Sequence, residues 1–260
     1  MRKIMMLAGT VLLPLTAINA QAVDFNITAG VNLWDVSPSG YIQGKEGEDR
    51  LDVKDQLGLS GESSNQLFVQ FDHFIPVIPN FRVSQTSLEF SGNTNKTVKF
   101  LGETYSGSTN TSVDLSHTDV TAYYRFLDGV TSFIPLVDLR VELGATLRMF
   151  DGSFAFEGTG AEPRSVDLTA PLPMGYLAGR VGVPFGLSAG ASVNTISYSG
   201  SSLTDLTFDV RYQYDGFPLI KPGITAGYRD FSLTLDDLDD TYGDLTLDGA
   251  FFGAYIRAGF

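Results

Sequence analysis

From Val137 to Phe150 apolar and polar residues exchange places at almost every step. Leu139, Val141, Leu143, Ala145, Leu147 and Met149 alternate with Asp138, Arg140, Glu142, Gly144, Thr146 and Arg148. Successive side chains of an extended strand point to opposite faces, so the pattern fits a half-buried strand and no helix. Leu203–Tyr214 repeats the design: Leu206, Phe208, Val210, Tyr212 and Tyr214 oppose Asp205, Thr207, Asp209, Arg211 and Gln213. Asp24–Leu33 and Asp119–Phe126 alternate as cleanly. Asn65–His73, Phe81–Ser91, Met174–Val183, Leu187–Tyr198 and Gly223–Thr234 do so more weakly. The closing GAFFGAYIRAGF adds a strand with Phe252, Ala254, Ile256, Ala258 and Phe260 on one face. After the N-terminal segment no run has a helical period. These segments predict an all-β chain of about ten strands, within roughly eight to twelve.

The connections are of two kinds. Short turns containing proline follow every even-numbered strand: FIPVIPN (74–80), LDGVTSFIP (127–135), PFG (184–186) and DGFPLIKP (215–222). Proline cannot donate to a ladder and belongs outside strand interiors. Polar Gly/Ser/Asp/Thr segments, several of them long, follow the odd-numbered strands. Short turns at one end and long loops at the other are the pattern of an up-and-down transmembrane barrel. Phe74, Phe81, Phe126, Phe133, Phe185, Phe217 and Phe260 gather beside the short turns, as an interfacial girdle requires. Tyr41, Tyr198, Tyr212 and Trp34 are the candidates for a second girdle.

Alternation also suits a soluble barrel with its apolar face inside. The arginines decide for lipid outside. Arg82, Arg125, Arg140, Arg148, Arg180, Arg211, Arg229 and Arg257 fall within strands, whereas Lys45, Lys54, Lys96, Lys99 and Lys221 fall in loops or turns. A charge facing lipid at mid-membrane costs about 2–4 kcal/mol, so these arginines are expected to face the lumen. There a network of Arg125, Arg140, Arg148, Arg211, Arg229 and Arg257 with Asp119, Asp138, Glu142 and Asp209 is expected, since a guanidinium bridges carboxylates well. About ten strands enclose a narrow interior. Such pairs would largely occlude it.

Residues 1–22 read as a cleaved signal peptide: Arg2 and Lys3, an apolar run from Ile4 to Leu15, and Ala20-Gln21-Ala22 before the cleavage point. Residues 23–260 form the barrel. Cysteine is absent, which excludes disulfides, a thiolate nucleophile and Cys-ligated metal. The net charge is −13, and −15 without Arg2 and Lys3, which argues against nucleic acid as a partner.

The terminal AYIRAGF resembles the assembly signal of bacterial outer-membrane proteins, in which a final Phe after alternating apolar residues is read by the barrel-insertion machinery. QLFVQFDHFIPVIPNFRV, HTDVTAYYRFLD, RMFDGSFAFEG and APLPMGYLAGRVGVPF together resemble a family of proteobacterial outer-membrane β-barrel proteins named for a Gly-Gly pair. The resemblance spans most of residues 23–260. It implies the cell outer membrane as location and lipid and lipopolysaccharide as surroundings, and it supplies no activity and no site residues.

Chemistry is thinly represented, and no cofactor is expected. His117 stands on the loop side of the fourth strand with Asp119 two residues on, and Ser112 and Ser116 nearby. A hydrolase needs a base held by a carboxylate beside a nucleophile. Same-strand neighbours do not make that fork, so His117 reads as a polar rim residue. DDLDDTYGD (236–244) offers Asp236, Asp237, Asp239, Asp240 and Asp244, a weak divalent-ion candidate without EF-hand spacing. Such runs are more often solvated loop. The first long loop (37–64), with KEGEDRLDVKD, reads as a mixed-charge surface. The leading expectation is a largely occluded outer-membrane barrel with a structural or surface role. The alternatives are a narrow uptake channel for a small or hydrophobic solute, with Pro171 and Pro173 loosening the sixth strand, and a rim hydrolase at His117.

Overall fold

A computed structural model describes residues 25–130, 137–159, 161–169, 171–238 and 241–259. In chain order the strands are β1 (Asn26–Gln43), β2 (Leu51–Asp52), β3 (Glu62–Asp72), β4 (Asn80–Ser87), β5 (Glu89–Thr94) and β6 (Val98–Phe100). There follow β7 (Glu103–Tyr105), β8 (Thr109–Asp114), β9 (His117–Val130), β10 (Asp138–Phe150), β11 (Gly152–Gly158) and β12 (Arg164–Leu168). The last are β13 (Pro171–Val183), β14 (Leu187–Tyr198), β15 (Ser201–Gln213), β16 (Ile220–Leu238) and β17 (Thr241–Gly259). Ten of them close an antiparallel barrel in the order β1-β3-β4-β9-β10-β13-β14-β15-β16-β17, with β17 returning to pair with β1. Closure leaves no free edge in the wall. These are the ten strands that the alternation predicts.

The short connections lie together at one end. At 184–186 the chain reverses within three residues, and Gly186 takes φ +80 where a Cβ would stand 2.0 Å from the Gln213 carbonyl oxygen. Phe185 beside it is 93% exposed. The link expected at 127–135 is partly strand, because β9 runs to Val130, and the rest of it lies outside the described residues.

Around the lower wall the apolar residues point outward. Ile27, Val31 and Leu33 of β1, Leu143 and Leu147 of β10, and Phe252 and Ile256 of β17 are all substantially exposed. On β10 the outward apolar set runs from Leu139 to Met149. Ten residues of strand rise about 33 Å, or roughly 25 Å along the axis of a barrel tilted by about 40°, the height of an outer-membrane hydrophobic band.

Above this band the polarity inverts. On β1 the outward positions become Asp35 and Ser37, while the inward Trp34 and Val36 are buried. On β17 Asp248 replaces the outward Ala250 and Phe252, while Leu245 and Leu247 turn inward and are buried. The inward apolar residues join Leu51, Val53, Leu57, Leu88, Phe90, Phe100, Leu115, Phe154 and Phe156 in one core. That core closes the long-loop end. Over it lies a second sheet, β12-β11-β8-β5, and the β6-β7 hairpin stands beside it. Phe100 stacks on Phe156 with ring centroids 4.3 Å apart.

Several expectations are corrected by this inversion. Residues 37–64 are not a solvated mixed-charge loop: β1 continues to Gln43, and Leu51, Val53, Leu57 and Leu59 are core residues. Trp34 belongs to no outer girdle, being 2% exposed and inward-facing. Tyr212, paired with Leu187, sits at the short-turn end instead of the far end. Lys99 and Lys221 lie in β6 and β16 instead of in loops or turns. Asp236, Asp237 and Asp244 belong to the β16–β17 hairpin instead of an open loop; Asp239 and Asp240 lie outside the described residues, as do Phe133, Phe260 and residues 1–22.

Candidate functional site

Where the band gives way to the apolar cap, charged side chains from four strands meet inside the lumen. β9 contributes His117 and Asp119, β10 Arg148, β15 Asp205 and β16 Arg229. Arg148 and Asp119 are direct cross-strand partners. The Arg148 guanidinium donates from Nε to Asp119 Oδ1 at 2.8 Å and from Nη2 to Asp119 Oδ2 at 2.7 Å. The same Nη2 reaches across the lumen to Asp205 Oδ2 at 2.5 Å. Arg229 closes the chain by donating to both Asp205 oxygens, at 2.9 Å from Nε and 2.7 Å from Nη2. Two guanidinia therefore serve two carboxylates, with Arg148 fully buried.

His117 lies at the edge of this cluster. A backbone carbonyl can only accept and a guanidinium can only donate, which fixes the ring's roles. Nδ1 donates to the Leu115 carbonyl at 2.8 Å, and Nε2 accepts from Arg229 Nη2 at 3.4 Å. The ring is therefore neutral with both nitrogens engaged. Phe150 and Phe231 cover it, with centroids 5.4 and 6.1 Å away. His117 is thus no rim residue, because the apolar cap lies above it. Ser116, the nearest expected nucleophile, instead accepts a hydrogen bond from the Leu88 amide at 3.0 Å. Nothing in this arrangement offers a free base beside a hydroxyl.

His117, Asp119 and Asp205 each bring a ligand atom within 4.8 Å of the others. The set suits a metal poorly, because Arg148 and Arg229 already neutralise both carboxylates and would repel a cation. Asp236, Asp237 and Asp244, the described members of the acidic run, are exposed on the hairpin.

Lower in the lumen Asp209 accepts from Arg180 Nη2 at 2.8 Å, and Arg211 Nε stands 3.0 Å from it. Glu142 accepts the Tyr176 hydroxyl at 2.8 Å instead of pairing with arginine. Arg125 donates to the His73 carbonyl at 3.1 Å, and Arg257 to Asn26 Oδ1 at 3.0 Å. Arg140 and Asp138 line the cavity at the short-turn end. Of the ten residues expected to form one network, Asp119, Arg148 and Arg229 meet in the upper cluster and Asp209 and Arg211 in the lower pair, with Arg140 and Glu142 in the wall of the same cavity as that pair and Asp138 and Arg257 in the wall of the cavity at the short-turn end. Asp205 and Arg180 complete the two groups. Both sit on the inward parity of their strands, and that parity was the available signal.

No protein-family model matches the chain, and no curated protein matches it. Similar solved structures include the outer-membrane protease OmpT of Escherichia coli, at 10% identity and TM-score 0.47, covering 90% of this chain and 97% of that one. Another is Ail, the attachment invasion locus protein of Yersinia pestis, at 14% identity and TM-score 0.31, covering 91% and 99%. A third is a Pseudomonas aeruginosa FadL homologue, at 11% identity and TM-score 0.33, covering 91% and 90%.

Proposed function

We propose that this chain is an integral β-barrel of the cell outer membrane, exported with residues 1–22 as a cleaved signal. Its lumen is occluded, and its role is structural or at the cell surface. The family resemblance of its motifs belongs to this reading. So does recognition of the last strand by the barrel-assembly machinery, through Phe252, Ala254, Ile256, Ala258 and Phe260. Lipid meets the outward band, and lipopolysaccharide meets the polar wall above it.

The observation that carries the reading is the lateral and vertical order of side chains. An apolar band encircles a wall whose interior holds Arg148 and Asp205 joined across the lumen, and an apolar core closes the end above them. An exposed apolar band of this height around a soluble particle would aggregate. A charged bridge inside it removes the width that a diffusion pore needs. Planar-bilayer recording of the folded protein tests occlusion. Baseline current with rare, brief events is the expected result, and a large, steady conductance overturns it.

A further inference from the structure

Below the upper cluster the lumen contains two neighbouring spaces. The inner one, about 40 Å³, is lined by four arginines, Arg82, Arg140, Arg180 and Arg211, against two carboxylates, Glu142 and Asp209. The outer one, about 460 Å³, reaches the 184–186 turn and shares Arg140, Arg180 and Arg211 with it. Of the acids in the two linings, Asp138 stands with Arg140 in the wall of the outer space, and the others are already engaged. Asp209 faces two guanidinia, and Glu142 accepts from Tyr176. In the outer space Asp72 takes the Tyr123 hydroxyl at 2.5 Å, and Asp215 is held by Gln213 at 2.8 Å and Lys221 at 3.1 Å.

Arg82 differs from its neighbours. Its Cζ lies 5.0 Å from the Phe68 ring centroid, and its buried Nε has no hydrogen-bond partner among the described residues. Arg82 is half-buried, and a guanidinium whose Nε is desolvated beside an aromatic face gains from a counter-charge that reaches it. The space in front of it, about 40 Å³, exceeds the roughly 10–15 Å³ that a water needs, and its Arg180 and Arg211 also line the larger space, which has room for a polyatomic ion. Planar guanidinia converging from three strands match the geometry of an oxyanion.

The geometry points to a binding site for a compact phosphate-class oxyanion, held by Arg82, Arg180 and Arg211 and reached from the short-turn end. The site is blind: the Arg148–Asp205 bridge stands above it. The phosphate group can be a free ion or the headgroup of a lipid in the leaflet at that end. Both present the same oxygens to the arginines.

The test uses the mature chain folded in detergent micelles at low ionic strength, with heat-modifiable electrophoretic migration confirming folding. Inorganic phosphate is titrated calorimetrically, and dihexanoyl phosphatidylglycerol is titrated in a second arm. Saturable phosphate binding is expected, weakened about tenfold or more in Arg82→Gln and less in Arg82→Lys. The exposed control Arg164→Gln should bind as the parent does. If the lipid alone binds and shows the same Arg82 dependence, the headgroup is the source. Should Arg82→Gln not fold, Arg82→Lys decides, since losing the planar fork must still weaken binding about threefold. Absence of saturable binding of either probe overturns the assignment, as does unchanged affinity in the folded Arg82 variants.

Discussion

Arg148 illustrates how one side chain can be indispensable without being catalytic. Its guanidinium donates to Asp119 on its own side and to Asp205 across the lumen, and it is wholly buried. Replacing a buried ion pair by apolar residues is often neutral, but removing one partner strands the other charge. Arg148→Met leaves two carboxylates to share Arg229, and a loss of about 3–5 kcal/mol is expected. Arg164→Met, which breaks the exposed pair with Glu103, should cost far less, since solvent screens such a pair. Trp34, the only tryptophan, reports both. Its ring lies 4.7 Å from the Arg229 Cζ, so its emission follows the cluster during denaturant unfolding. Equal midpoints for the two variants would show that the cluster contributes no more than a surface pair.

At the scale of the element, β17 reads differently above and below Gly249. Ala254 faces outward within the apolar band, whereas Asp248 faces outward above it. Ala254→Arg should therefore cost about 2–4 kcal/mol in lipid, and Asp248→Arg about 0–1 kcal/mol. Unfolding titrations in lipid vesicles measure the difference, and a reversed order would misplace the band. In the cap the Tyr105 phenol shows the opposite environment. Burial, reinforced by the Glu103 charge, pushes its pKa above the usual 10.0, and its hydroxyl donates to the Glu162 carbonyl at 3.0 Å. The neutral phenol is favoured in the folded state. Its contribution is thus present below pH 10.0 and declines as pH rises beyond it. A stability profile between pH 9 and 12 should flatten in Tyr105→Phe; an unchanged slope removes the argument. These two strands also mark what the sequence makes legible. Period two identifies β10, β15 and β17 as strands, and the strand arginines identify the lumen face. One parity cannot serve a whole strand, however. At Trp34 and Leu247 the apolar residues pass to the inward face because the wall leaves the apolar band and acquires an apolar core, and the shift from Leu33 to Trp34 or from Ala250 to Leu247 is the written sign of that change. Asp205 was harder to find, because its pairing with Arg148 depends on which strands face each other across the lumen. Strand spacing alone does not fix this.

For the whole molecule the proposed reading places two closures in series, one ionic and one apolar. They depend on different residues, so opening one should leave the other shut. The cap can be trimmed without disturbing the wall, because Thr86 and His117 pair directly across β4 and β9. Residues 87–116 can therefore be replaced by a two-residue Asn-Gly turn that suits an antiparallel pair. Arg148→Ala with Asp205→Ala removes one charge of each sign, so the cluster stays neutral with Asp119 and Arg229 as the remaining opposite charges. Neither change alone should produce steady current in planar bilayers. Their combination should, because the lumen below already holds a space of about 460 Å³. Heat-modifiable migration must be retained in each variant for the comparison to count. Steady conductance in the Arg148→Ala, Asp205→Ala protein would show that the apolar core does not seal the barrel. Baseline current in the folded combined variant would place the constriction elsewhere, among the lower arginines around Asp209.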